Sequence, residues 1–198
     1  MNVTVHQRPG VYSAYDASSV VSGSGGGKQV GLVAVNTKAT ANEVKIVTSY
    51  DGAVNAFGQG TMAELIRLAL KNGAGSVAAV PIASGEGYGD GFAALEGLED
   101  VTAVICDSTD GDVQKAMKES VETASANRRE RIAVAAGGAE ETVDELIARA
   151  KALNHERVVL VAPGGVDKSG ENTDGLGVAA AVAGAIAGES DPAVPLGG

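Results

Sequence analysis

Short, nearly unbroken apolar runs alternate with amphipathic stretches roughly every 25 to 30 residues along most of this chain, and that rhythm narrows the folds open to it. Gln29 to Asn36 (QVGLVAVN) lacks polar alternation, the pattern of a strand covered on both faces. Val44 to Thr48 reads as a second, short strand, and Asp51 to Phe57 as a short helix. Thr61 to Asn72 puts Met62, Leu65, Ile66 and Ala69 on one helical face, with Gly73 as its stop. Strands at Ser76–Ile82, Val101–Cys106, Arg131–Ala135 and Arg157–Ala162 then alternate with helices at Gly91–Gly97, Gly111–Asn127 and Glu140–Leu153. The expected buried stripes are Val113, Met117, Val121 and Ala124 in one helix, and Val143, Leu146, Ile147 and Ala150 in the next. An Ala-rich helix from about Gly175 to Gly188 ends the series. Right-handed crossovers between such units give an α/β fold, a mostly parallel sheet sandwiched by helices.

A chain of 198 residues suffices for one sizeable domain. Its formal charge of -10 argues against nucleic acid, whose phosphates it would repel, and against anionic membrane surfaces. The most apolar stretch, Leu176 to Gly188, falls short of the roughly 20 residues that cross a bilayer. No basic segment followed by an apolar run opens the chain, so it is expected to be made in the cytoplasm without a secretion signal. Cys106 is the only cysteine, which excludes an internal disulfide and a cysteine-based zinc site. Its place in an apolar strand marks it as a small buried residue.

Two segments stand outside the rhythm. Met1 to Asp16 (MNVTVHQRPGVYSAYD) begins as an alternating strand, Val3 and Val5 against Thr4 and His6, with nothing nearby in sequence to pair with. An extended strand of this kind completes its hydrogen bonds on a sheet edge, often in another molecule. Ser22 to Gly27 (SGSGGG) follows as a flexible linker. At the other end, SDPAVPLGG breaks the last helix and leads to no further element. The expected organisation is an arm and hinge over 1–22, an α/β domain over 23–190, and a linker stub over 191–198.

Motifs for chemistry are weak. Gly23 to Lys28 (GSGGGK) resembles a phosphate loop, but Ser22 stands for the first glycine, Gln29 for the magnesium-holding Ser/Thr, and a strand follows where a helix is needed. Asp107, Asp110 and Asp112 follow the strand ending at Cys106, where open α/β sheets place ligands. They read either as a metal or acid–base site, or as caps for the next helix, and the capping reading is favoured. Asp167, Glu171 and Asp174 raise the same question in a later loop. With His6 and His155 as the only histidines and no G-x-S-x-G turn, a hydrolase triad has no footing. Gly184-x-x-x-Gly188 reads as close helix–sheet packing. The basic run Arg128, Arg129 and Arg131 is either a solvated turn or a contact with an acidic neighbour.

Taken together, HQRPGVYSAYDASSVVSGSGGGKQVGLVAVN, VTSYDGAVNAFG, MAELIRLALKNGAGSVAAVPI, VTAVICDSTD, RRERIAVAAGG, LNHERVVLVAPGG and AGAIAGESDPAVPLGG resemble the sheath proteins of contractile tails in phages, phage-like bacteriocins and related injection systems. That resemblance implies a structural subunit without catalytic residues, metal or cofactor. It implies a subtilisin-like topology lacking the protease triad, in a subunit that polymerises around an inner tube and contracts to drive the tube through a bacterial envelope. Its partners would be neighbouring sheath subunits, the inner tube protein and the baseplate, in a virion or tail-like particle. By position, Val3, Thr4, Val5, His6, Gln7, Arg8, Pro9, Gly10, Val11 and Tyr12 would form the exchanged assembly arm. Ser13 to Gly27 would be the hinge, centred on Ser22, Gly23, Gly25, Gly26 and Gly27. Sheath proteins of this type continue past the DPAVPL segment into a C-terminal domain, so the chain is expected to be the N-terminal portion. The alternatives are a small-ligand- or metal-binding α/β protein using the acidic loop after Cys106, and a soluble assembly factor sharing the fold.

Overall fold

The computed structural model describes residues 28–166 and 173–189. Among these residues, six strands form one sheet: β1 (Gln29–Val35), β2 (Lys45–Val47), β3 (Ser76–Ile82), β4 (Val101–Cys106), β5 (Ile132–Ala136) and β6 (Val158–Val161). Their order is β2-β3-β1-β4-β5-β6. β1 lies at the centre, parallel to β3 on one side (Val30 beside Val77) and to β4 on the other (Val30 beside Ala103). β5 and β6 extend the parallel part.

β2 alone runs antiparallel, pairing with β3 from Lys45 beside Ala79 to Val47 beside Val77. The 36–44 connection is too short for a crossover helix, so the chain re-enters from the end it has just left and runs back. Asn42, in the left-handed region at φ 60, donates its N–H to the Pro81 carbonyl and steers that return.

From β3 to β5 both faces of the sheet are covered, as the continuous apolar strands require, while β6 buries no residue. Helices α1 (Tyr50–Phe57), α2 (Thr61–Lys71) and α6 (Leu176–Gly188) lie on one face, packing Phe57, Ile66, Ala69, Ala180 and Ala183 on Val30, Leu32 and Ile105. Helices α3 (Tyr88–Glu96) and α4 (Gly111–Ala126) cover the other, packing Phe92, Leu95, Met117 and Val121 on Val33, Val80 and Val104. A 3-10 turn at Gly85–Gly87 precedes α3, which therefore starts before the expected Gly91.

Two expectations are overturned. α5 (Val143–Ala152) buries no residue: Val143 is 72% and Ile147 47% exposed, Ala150 is exposed, and Leu146 is half-buried. Its apolar stripe exists, but no element among the described residues covers it. Secondly, the Gly184 and Gly188 face of α6 meets α2, not the sheet. A Cβ on Gly184 would meet the Ala69 carbonyl of α2, and one on Gly188 would lie 2.8 Å from the Gly73 carbonyl oxygen just past that helix, so the pair permits backbone contact with α2 and its C-terminal turn.

Candidate functional site

The sheet order reverses at β1, whose next parallel neighbour in sequence lies to one side while β4 lies to the other. The crevice beyond the carboxyl ends of such strands is the usual ligand position in open α/β folds. A cleft of about 550 Å³ opens there, lined by Val35, Asn36, Lys38, Phe57, Gly60 and Asp107 among others.

Its polar groups are largely committed within the chain. Asp107 accepts a hydrogen bond from the Tyr88 hydroxyl at 2.5 Å and from the Val35 N–H at 2.9 Å. Burial, followed by this bond, raises the Tyr88 phenol above its ordinary value and keeps it protonated. Asn36 donates to the Phe57 carbonyl and accepts from the Lys38 and Ala39 N–H groups.

The remaining acidic residues fare alike. Asp110 caps α4, accepting from the Asp112 and Val113 N–H groups at 2.8 and 3.1 Å. Those bonds, the Val113 one first, lower its pKa. Asp112 pairs with Lys115 at 2.9 Å on the helix surface, and Asp174 accepts from the Leu176 N–H. Asp167 and Glu171 lie outside the described residues. Among the described residues, no group of three or more His, Cys, Asp or Glu side chains is placed to hold a metal ion. The capping reading of the acidic loop therefore accounts for its geometry.

Behind the loop sits a polar knot that sequence reasoning missed. Gln114, buried in α4, donates to the Ser108 and Ala136 carbonyls and accepts from the Arg149 guanidinium. Arg149 also donates to the Thr109 carbonyl and forms a close ion pair with Glu141, whose pKa it lowers. Glu141 in turn accepts from the Gly138 N–H at 2.6 Å. This knot ties the loops after β4 and β5 to α4 and α5. Next to it, Thr142 and Glu145 form the capping box that opens α5, a spacing visible in the sequence.

At the opposite end of the strands lies the basic run. Arg128 is exposed at φ 64, just past the Asn127 cap of α4, and Arg129 is half-buried. Arg131 is 2% exposed and donates to the Leu95 and Leu98 carbonyls of its own chain at 2.9 and 2.6 Å. It is an internal pin, and this corrects its placement among possible subunit contacts: a guanidinium held on two inward carbonyls has no face left for a neighbour. Burial lowers its pKa, with Arg129 adding to the effect. His155 contacts Glu122 of α4 at 3.3 Å and accepts from the Arg157 N–H. Cys106 is buried, which pushes its thiol up to about 12.

The expected arm, Val3 to Tyr12, and hinge, Ser22 to Gly27, lie outside the described residues, as does the Asp191-Pro192 segment. No described helix is long and apolar enough to cross a membrane.

Comparison with known proteins supplies the remaining observation. Residues 82–194 match the family described as phage tail sheath protein central domain. No curated protein matches the chain in sequence. Among solved structures, a sheath tail protein from Desulfitobacterium hafniense is similar at TM-score 0.63 and 13% identity, over 90% of this chain and 62% of its own. The helical sheath of the anti-feeding prophage in its contracted state is similar at TM-score 0.57 and 19% identity, over 91% of this chain and 52% of its own. A sheath tail protein from Listeria innocua gives TM-score 0.61 and 12% identity, over 84% and 57%. The chain thus spans between about half and two-thirds of the length of these structures.

Proposed function

The chain belongs to the phage tail sheath protein family, a structural and non-enzymatic one, and on that footing we propose that it forms part of the contractile sheath of a phage or phage-like particle. The observation that carries this reading is the family match, which takes in more than half of the chain. In the proposed role, subunits polymerise around an inner tube upon a baseplate and contract to drive the tube through a bacterial envelope.

Two features agree with a mechanical part. Both faces of the sheet are packed with interlocking apolar side chains, so the domain resists internal deformation and suits movement as a rigid body. The polar groups at the strand ends are spent on holding loops together. A subtilisin-like topology without a protease triad belongs to the same reading. In it, Val3 to Tyr12 add a strand to a neighbour's sheet, and Ser13 to Gly27 let subunits shift without separating.

Deletion of Met1 to Tyr12 tests the arm. The α/β domain is expected to keep cooperative thermal unfolding while the protein loses assembly. Loss of cooperative unfolding would instead place the arm in the domain's own sheet.

A further inference from the structure

We propose that the exposed face of α5 is a docking surface for the Arg128–Arg129 turn of a second copy of this chain, making a head-to-tail contact that repeats along a polymer. The inference rests on the sheath reading and specifies a surface for it.

Val143 and Ile147 stand one helical turn apart on α5, on the same side, and both are exposed. A helical stripe of this kind ordinarily faces a core, and one left uncovered marks an interaction surface. The helix is nevertheless held firmly. Its Thr142–Glu145 capping box fixes the start, and Arg149 ties it to Glu141, Gln114 and the Thr109 carbonyl. α5 is presented as a preset shape, anchored by polar bonds while its apolar side faces outward.

Charge selects the partner. Glu140 and Asp144 are exposed beside Val143, and neither belongs to an ion pair among the described residues. The matching positive feature lies at the far end of the domain. Arg128 and Arg129 also lack ion-pair partners among the described residues, whereas Arg131 is buried and Arg157 pairs with Glu130. Arg128 occupies a left-handed position just past a helix cap, where glycine is the usual occupant, so the arginine is there in spite of its backbone.

The two patches cannot meet within one subunit. α4 starts at the carboxyl ends of the strands, near α5's first turn, and its 16 residues end at Ala126, just before the Arg128 turn. At 1.5 Å per residue that separates them by about 24 Å. Complementary patches at opposite ends of one molecule make a heterologous contact, which propagates as a helix or filament unless it closes into a ring.

The test uses two variants of the full chain, Arg128→Cys and Asp144→Cys, carrying different tags and mixed under mild oxidation while assembling. Cys106 is buried and does not compete. Mixed disulfides between the two tags are expected to outnumber like-with-like products at least ten-fold. Arg128→Glu with Arg129→Glu should lower the assembled fraction about ten-fold, and Glu140→Lys with Asp144→Lys on the partner should restore it. Arg128→Gly, which suits the backbone, should remain folded by circular dichroism yet assemble less. Ordered polymers without the mixed disulfide, or indifferent to charge reversal, overturn this contact and leave the sheath reading standing. Absence of ordered polymers from the wild-type protein produced from its complete reading frame overturns both.

Discussion

Gly184 of α6 lies so close to Ala69 of α2 that a Cβ on the glycine would stand 2.3 Å from the Ala69 carbonyl oxygen. The obstacle is helix backbone, which cannot swing aside as a flexible side chain can. Gly184→Ala is therefore expected to destabilise the domain by about 1–3 kcal/mol, the usual cost of overpacking. Gly89→Ala, in α3 with open space where its Cβ would go, should stabilise by about 0.5–1 kcal/mol through helix propensity. Urea midpoints of the two variants check the pair, and an equal response would refute the close-contact account.

Arg131 supplies a second prediction. Its guanidinium satisfies the Leu95 and Leu98 carbonyls at the end of α3, both inaccessible to another subunit through this side chain. Arg131→Ala leaves buried acceptors unpartnered and a void behind, and is expected to cost about 2–4 kcal/mol in chemical denaturation. A variant as stable as the wild type would return Arg131 to the list of candidate subunit contacts.

Acid should weaken the attachment of α5. The Arg149 guanidinium holds Glu141 below the ordinary 4.5, outweighing the opposing effect of burial. A depressed folded-state pKa contributes stability that is present above 4.5 and lost as pH falls through the lower folded value. Hydrogen exchange of α5 amides is predicted to accelerate below about pH 4.5 more steeply in the wild type than in Glu141→Gln. Parallel profiles would show that the pair does not hold the helix.

Thr142→Ala removes the cap of a helix that has no buried residue to compensate. The expected loss is about 1 kcal/mol, confined to α5 and visible as faster amide exchange there with the β1–β4 core unchanged. A uniform loss across the sheet would mean α5 is part of the central cooperative unit.

Cys106 should resist thiol reagents in the native protein. Its burial, with the thiol pushed up to about 12, leaves almost no thiolate at pH 8. Titration with an aromatic disulfide is expected to report no rapid reaction until denaturant unfolds the chain. Stoichiometric reaction under native conditions would contradict the packing of β4.

What could be read in advance follows from how local each signal is. Strands β1, β3 and β4 announced themselves as continuous apolar runs because both faces of the sheet are covered. The direction of β2 was not legible, since a three-residue strand carries too little pattern to specify its pairing. The α5 stripe was read as buried because periodicity reports that a helix has an apolar face, not what lies against it. Gln114 carries no signal in the sequence, and Arg131 reads as a surface cation, because their partners, such as the Ala136 and Leu95 carbonyls, are far away in sequence. The Gly184 and Gly188 spacing was legible as close approach, while the element approached was settled only by how α2 and α6 share one sheet face.

Negative-stain electron microscopy of the protein produced from its complete reading frame tests the central claim most directly. Striated tubes or stacked rings are the predicted result. Compact, monodisperse particles at every concentration and salt condition would contradict the sheath reading.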